Sequence, residues 1–228
     1  CPDLFELPIE GEPGESRWVL EVGMGSGSIA GGSGGEYFIG HFDGESFVCE
    51  DPLDEVHWID YGRDFYAAVS WSDIPADDGR RIWIGWMNNW ETNLLPTAPW
   101  RSEMSIPRSL TLRRDYGRLQ LVQAPVDELQ ALRGEPWSIT NVKVDGVLDL
   151  TREYGIEGAQ LEVLAEIEPG PASMVALVVR VGEGEQTRIE FDVAPEQLLL
   201  DRTNSGHVDF HPAFPGIHVA PLLLHDGR

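Results

Sequence analysis

The stretch that decides the fold class is Ile82-Trp83-Ile84-Gly85-Trp86-Met87-Asn88-Asn89-Trp90. Successive residues of an extended strand point to opposite faces, so Trp83 and Trp86 are expected on opposite sides. Two residues that favour turns, Asn88 and Asn89, follow at once. The stretch therefore predicts a short strand that ends in a turn, which is typical of an all-β protein.

The same texture extends from residue 1 to about residue 113. Short apolar or alternating runs are separated by Gly, Asp and Pro, with turn formers at Asp43-Gly44 and Asp78-Gly79. The predicted strands are Trp18–Val22, Tyr37–Phe42, Tyr66–Trp71, Arg81–Trp86 and Ser109–Arg113. Strands at this spacing favour the blades of a β-propeller.

The pattern changes near Tyr116-Gly117. We interpret residues 114–136 as a connector that contains one short helix, at Pro125–Leu132. From Trp137 onward alternation returns, and it indicates a β-sandwich. The strands predicted there are Gln160–Ile167, Met174–Val181, Arg188–Val193 and Gln197–Asp201. The chain is thus expected to divide into residues 1–113, 114–136 and 137–228.

Charge limits the class of partner. The 228 residues include 39 acidic and 16 basic side chains, for a formal net charge of −23. Such a surface argues against binding nucleic acid or an anionic membrane, and a neutral or cationic partner fits better. The sequence also has no apolar run of about 18 residues that could span a bilayer.

Cysteine, histidine and glycine patterns suggest neither a metal nor a nucleotide site. Cys1 and Cys49 match no disulfide framework and no zinc motif. His207 and His211 are four residues apart, but Pro212 makes a zinc-binding helix improbable. The segment 23–30 loosely matches a dinucleotide fingerprint without the helix that must follow it. We expect no metal and no organic cofactor.

Two stretches are candidates for binding a ligand, and each has a plain structural alternative. Residues 60–66, from Asp60 to Tyr66, combine acidic, basic and aromatic side chains, and they could equally form a hairpin with one surface ion pair. Trp86 could be a core residue or could stack on the apolar face of a sugar. Asn88 and Asn89 could bind hydroxyl groups or form the turn.

The chain opens with Cys1-Pro2-Asp3-Leu4-Phe5-Glu6-Leu7-Pro8, and several further motifs follow in a fixed order. They are Gly31–Gly34, Asp64–Ala68, Ile84–Trp90, Pro96–Arg101, Met104–Arg108, Leu200–Gly206 and Phe210–Gly216. Together these motifs resemble glycoside hydrolase family 32, the invertases, inulinases and levanases. The resemblance covers nearly the whole chain.

This resemblance implies the C-terminal part of a five-bladed β-propeller, about its last two blades, followed by a β-sandwich that is incomplete at its C-terminal end. It implies a retaining glycosidase that releases terminal fructose from β-fructans or sucrose without a cofactor. The family's acid/base Glu is expected immediately before Cys1, so no catalytic carboxylate is expected in this chain and the chain alone should be inactive. The resemblance assigns substrate binding to Asp60, Tyr66 and Trp86.

Other points stay open. The first alternative is a non-catalytic fructan-binding relative with the same fold, and a weaker one is a five-bladed glycosidase acting on arabinose polymers. In either main reading the partner is a fructose-containing oligo- or polysaccharide. In some plant members of the family, a Lys at the position of Arg63 influences substrate choice through the Asp that corresponds to Asp60. Because this chain has Arg at that position, the resemblance does not assign this role to Arg63. Oligomeric state and location, secreted or cytoplasmic, are left open.

Overall fold

The computed structural model describes residues 2–52 and 54–222. In this part of the chain nearly all regular structure is β-strand. The exceptions are a short α-helix, α1 (Leu150–Tyr154), and the 3₁₀-helices Trp90–Thr92 and Asp127–Leu132. The fold is all-β, as the sequence predicts.

The first sheet is an antiparallel meander. Its strands are β1 (Pro2–Pro8), β2 (Ser16–Met24), β3 (Gly34–Phe42) and β4 (Phe47–Cys49), and β5 (His57–Trp58) also pairs with β3. The predicted turn at Asp43-Gly44 joins β3 to β4. The Asp43 carboxylate accepts the backbone N–H groups of Glu45 and Ser46, and Gly44 has a φ of +99° that favours glycine.

The second sheet repeats this pattern. Its strands are β6 (Tyr66–Ser70), β7 (Arg81–Met87), β9 (Arg108–Asp115) and β10 (Arg118–Pro125), with the short β8 (Glu103–Met104) paired to β7. Each sheet thus contains a meander of four strands, with β1 and β6 at the edges where each meander begins. This is the strand arrangement of a propeller blade.

The two sheets pack face to face around one hydrophobic core. Trp83 and Leu112 are fully buried, and the rings of Phe5 and Phe65 lie 6.4 Å and 6.1 Å from the Trp83 ring. Replacing a tryptophan in such a core by alanine costs about 3–5 kcal/mol. The core face of β7 is therefore the Trp83 face, as the alternation predicts, and Trp86 lies on the other.

The C-terminal module contains one antiparallel sheet in the part that the structure describes. Its strands are β11 (Met174–Gly182), β12 (Glu185–Asp192), β13 (Gln197–Asp201) and β14 (Ile217–Pro221), in that order. Arg202 of this module forms an ion pair with Asp64 in the segment between β5 and β6, and the Arg202 Nε donates to the carbonyl of Phe214 at 2.7 Å.

Three local predictions differ from the structure. The connector predicted over 114–136 is wrong in its first half, because β9 continues to Asp115 and β10 extends the second sheet to Pro125. The predicted helix is present only as a 3₁₀-helix, Asp127–Leu132. The segment 160–167 forms no strand. Its alternate apolar residues line a groove against β11 and β12, but no neighbouring strand in the described chain supplies a hydrogen-bonded ladder. The division into three regions otherwise stays a prediction.

Candidate functional site

Tyr66 and Trp86 are brought together by strand pairing. They are register partners on β6 and β7, with ring centroids 6.4 Å apart at an interplanar angle of 61°. The register shifts between Tyr66 and Val69, where Ala67 has a positive φ of 51°. A bulge of this kind redirects the side chain beside it, and here that side chain is the Tyr66 ring next to Trp86.

Trp90 extends this pair into a row of three aromatic rings. Its ring centroid lies 5.0 Å from that of Trp86, and its side chain is 55% exposed. The indole N–H of Trp86 donates to the hydroxyl of Ser102. We call Tyr66, Trp86 and Trp90 the aromatic row. It offers a partly exposed apolar surface with hydrogen-bonding groups at its margin, which suits the alternating apolar and hydroxyl faces of a sugar.

Asn89 holds the backbone next to Trp90, at one end of the aromatic row. Its side-chain amide is fully buried and donates to the carbonyls of Gly31, Ser33 and Arg63 at 3.0, 3.1 and 2.9 Å. Its Oδ1 accepts the N–H groups of Ser33 at 3.2 Å and Glu91 at 3.0 Å. Because the amide is saturated by the backbone, Asn89 is a structural residue. Its possible role in binding hydroxyl groups is not supported.

The glycine-rich loop at residues 31–34 owes its composition to this contact. A Cβ on Gly32 would lie 2.0 Å from Oδ1 of Asn89, and Gly32 has a positive φ of 67°. Ser33 accepts the N–H of Trp90 on its hydroxyl at 3.0 Å. The loop thereby holds the start of the 3₁₀-helix that carries Trp90. Strand β3 follows the loop, so the segment 23–30, which loosely matches a dinucleotide fingerprint, is not followed by the helix that such a fingerprint requires.

Asp60 lies in a different set of contacts. Its Oδ1 accepts the N–H of Gly62 at 2.7 Å, and its Oδ2 is 3.0 Å from Nη1 of Arg108. The Arg108 guanidinium also lies over the Phe65 ring at 4.0 Å and bonds to Gln123. The described residues show no direct contact between Asp60 and the aromatic row. The structure therefore brings Tyr66 and Trp86 together and leaves Asp60 in a partly buried ion pair.

Arg63 does not pair with Asp60. Its side chain is 6% exposed, with Nη1 donating to the Ala30 carbonyl at 2.7 Å and Nη2 paired with Glu91. The partner of Asp60 is Arg108, which is 48 residues further along the chain. Any effect of Arg63 on a ligand would have to pass through the loop that it anchors.

The remaining candidates have structural contacts. Asp3 accepts the Ser70 N–H at 2.8 Å and so ties β1 to β6, and Glu6 accepts the Ser16 hydroxyl at 2.5 Å. The exposed His207 pairs with Asp209 at 3.0 Å, and the His211 ring accepts the Ala213 N–H. Cys49 is a free thiol, and Cys1 lies outside the described residues.

The described residues show neither a metal-binding cluster nor a membrane-spanning helix. Residues 2–52 and 54–222 contain no group of three or more His, Cys, Asp or Glu side chains placed to hold a metal ion. No helix within residues 2–52 and 54–222 is long and apolar enough to cross a membrane.

Sequence reasoning missed two parts of this site. Trp90 was within the quoted stretch but its stacking on Trp86 was not foreseen, although the Trp-x₃-Trp spacing was a usable signal. Ser102 gave no signal, because its contact with Trp86 depends on the path of the loop between β7 and β8.

Comparison with known proteins places these features in a family. Residues 1–125 match the glycosyl hydrolases family 32 N-terminal domain, and residues 128–228 match the family 32 C-terminal region. The chain is 45% identical to a levanase of Bacillus subtilis over 232 residues, covering 100% of this chain and 34% of that protein. It is 33% identical to an extracellular exo-inulinase of Aspergillus niger, covering 98% of this chain and 43% of that protein.

Solved structures give the same result. The crystal structure of exo-inulinase from Aspergillus awamori superposes with a TM-score of 0.76 at 30% identity, covering 97% of this chain and 44% of that one. A fructofuranosidase from Schwanniomyces occidentalis complexed with fructose has a TM-score of 0.69 at 26% identity, covering 97% and 46%. The chain thus spans less than half the length of these relatives. Both the sheets and the C-terminal module are matched, and the chain belongs to glycosyl hydrolases family 32.

Proposed function

We propose that the protein to which this chain belongs is a retaining glycosidase that releases terminal fructose from β-fructans, with levan as its first substrate and inulin and sucrose as further candidates. The observation that carries the proposal is the 45% identity to a levanase across the whole chain, against 33% to an exo-inulinase. The match to a fructofuranosidase complexed with fructose supports the same class of sugar.

The aromatic row supports this proposal chemically. A fructosyl unit has an apolar face that can pack on an indole, and the half-buried Trp86 ring contacts the rings of both Tyr66 and Trp90. Because these contacts hold the Trp86 ring in place without sugar, little conformational entropy is lost when a sugar binds. In this proposal Tyr66 and Trp86 bind the sugar.

Asp60 is the third proposed sugar-binding residue. Its carboxylate is 23% exposed, and each oxygen already has one partner. Each carboxylate oxygen can accept more than one hydrogen bond, so a sugar hydroxyl could still donate to it. The pair with Arg108 would hold that carboxylate in one orientation.

Catalysis requires groups from outside this chain. Retaining hydrolysis needs a nucleophilic carboxylate and a second carboxyl group about 5 Å away that protonates the leaving oxygen. We assign the second group to a Glu immediately before Cys1 in the longer protein, and the nucleophile to a more distant segment of it. Residues 1–228 alone are then expected to bind sugar weakly and to release no fructose.

The test uses the full-length protein. Free fructose is measured after incubation with levan, inulin and sucrose, and the control carries Gln in place of the Glu before Cys1. Release from levan that the control abolishes supports the proposal and the assignment of the acid/base. A folded protein that binds fructan but releases no fructose would contradict it and favour the non-catalytic binding relative.

A further inference from the structure

Glu21 is a carboxyl group that the fold buries without a visible partner. It lies on β2, in register with Asp3 of β1 on one side and Tyr37 of β3 on the other. Its side chain is 0% exposed, and neither carboxyl oxygen has a hydrogen-bond partner in the described part of the chain. Buried polar groups are normally hydrogen-bonded, so an orphaned one needs an explanation.

Two glycines make room for this carboxyl group. A Cβ on Gly35 would lie 2.8 Å from Oε1 of Glu21 and 2.5 Å from Cδ1 of Ile59. A Cβ on Gly23 would lie 3.8 Å from the same Oε1 and 3.4 Å from Cε2 of Tyr66. The carboxyl group and the Tyr66 ring therefore border the same small space above Gly23.

The surroundings of Glu21 favour its protonated form. Burial, and next the negative charge of Asp3, raise the pKa of Glu21 to about 8. The other titratable groups that face it are Tyr37 on β3 and Tyr66 on β6. Burial also raises the pKa of Tyr37, to about 12, so the Tyr37 ring stays neutral and adds no charge beside Glu21. A neutral carboxyl group can donate one hydrogen bond and accept others.

Tyr66 depends on its side-chain neighbours more than most strand residues do. The register shift that follows it removes the regular ladder up to Val69, and the far end of β6 is held by the bond from the Ser70 N–H to Asp3. Asp3 is also the negative charge that acts on Glu21. Glu21 thus lies beside two contacts of β6 with the first sheet: the approach of the Tyr66 ring to Gly23 and the bond from Ser70 to Asp3.

We propose that Glu21, in its protonated form, is a positioning residue for the aromatic row: it supports the Tyr66 ring against Trp86 from the core side. Loss of its proton places a second negative charge beside Asp3 in the buried joint between β1 and β6. The two negative charges repel each other, and burial disfavours the ionised carboxylate relative to a hydrated one. The joint then loosens, and Tyr66 no longer holds its place beside Trp86. The consequence for sugar binding rests on the proposed function, but the movement of Tyr66 does not.

The experiment uses the full-length protein with the Glu before Cys1 replaced by Gln, so that bound sugar is not hydrolysed. Tryptophan fluorescence is followed from about pH 6 to about pH 9.5, first without sugar and then with added fructose. The variants are Glu21→Gln, which has the shape of the neutral acid, and Glu10→Gln, a matched change at an exposed position in the turn between β1 and β2.

Without sugar, the parent and Glu10→Gln should show a fluorescence transition with a midpoint near pH 8, and Glu21→Gln should not. With fructose, the affinity of the parent should fall about fivefold or more across this range, while that of Glu21→Gln changes less than about twofold. A parent whose fluorescence stays flat, or a transition that persists in Glu21→Gln, overturns the proposal. The parent titration decides this even if the variant fails to fold. Absence of fructose binding at every pH contradicts the proposed function instead, and the sugar-free transition still decides the role of Glu21.

Discussion

Asn89→Ala tests whether the aromatic row is held in place by the loop at residues 31–34. The change removes the contacts of a fully buried amide: its two N–H groups are shared among three carbonyls, and its Oδ1 accepts two backbone N–H groups. Each such bond contributes about 0.5–1.5 kcal/mol, and water entering the space restores part of the loss, so we expect about 3–5 kcal/mol of destabilisation.

The assay is urea unfolding of the full-length protein, followed by tryptophan fluorescence. The change in free energy of unfolding is read from the shift in midpoint at constant m-value. Asn93→Ala is the matched control, because Asn93 lies at the end of the same 3₁₀-helix with its side chain only partly buried. It should change the free energy of unfolding by less than about 0.5 kcal/mol. A loss for Asn89→Ala below about 1 kcal/mol, or equal to that of the control, would refute the reasoning.

Three further predictions concern the same region. Gly32→Ala should destabilise the full-length protein by about 2 kcal/mol or more, because its Cβ would lie 2.0 Å from Oδ1 of Asn89 at a positive φ; an unchanged urea midpoint would contradict this. Trp86→Ala should weaken fructose binding by about 1–2 kcal/mol, roughly 5- to 30-fold in Kd, and the exposed Trp90→Ala by less; equal effects in a calorimetric titration would contradict the order. Because burial raises the pKa of Glu21 from its usual 4.5 to about 8, the folded state keeps a proton that the unfolded state releases between these values. The contribution of this proton to the free energy of unfolding is complete below about pH 4.5 and is lost as pH rises through about 8. Glu21→Gln should reduce the dependence of the urea midpoint on pH over this range, and an unchanged dependence would contradict the prediction.

The strands that the sequence predicts well are those whose alternation matches a buried face. Residues 81–86 place Trp83 in the core and Trp86 outside it. In these strands one face packs on other apolar side chains, so the apolar residues of the alternating pattern are the buried ones.

β10 was missed because its turn is unusual. Tyr116 and Gly117 join β9 to β10 with φ values of +50° and +82°. Two successive positive φ values are the signature of a type I′ hairpin turn, which Asn-Gly or Asp-Gly normally signals. A tyrosine at the first of these positions gives no such signal. The sequence therefore predicts a connector after residue 113, whereas the chain reverses direction and continues in the same sheet as β10.

The opposite error occurred at residues 160–167. Their alternation is genuine, since alternate apolar side chains line the groove against β11 and β12. A strand, however, also needs a neighbour with which to exchange backbone hydrogen bonds, and periodicity carries no information about that neighbour.

The contacts of the candidate site were beyond sequence reasoning because they are long-range. Asn89 bonds to residues that are 56 and 26 positions earlier in the chain, and Asp60 pairs with a residue 48 positions later. Local propensity predicts a turn at Asn88-Asn89 and an exposed acid at residue 60. Only the packing of the two sheets determines which backbone groups and which charge these side chains meet.

The position of the aromatic row follows from that packing. Trp86 is placed by the second sheet, through its pairing with Tyr66, whereas the start of the helix that carries Trp90 is held by Ser33 from the loop before β3 of the first sheet. On the core side, Gly23 of the first sheet leaves the space that Tyr66 occupies. Tyr66 and Trp90 therefore depend on contacts that cross between the sheets, and Trp86 packs against both of these rings. Neither sheet alone would form this surface, so a change that separates the sheets should weaken sugar binding before it disrupts either meander.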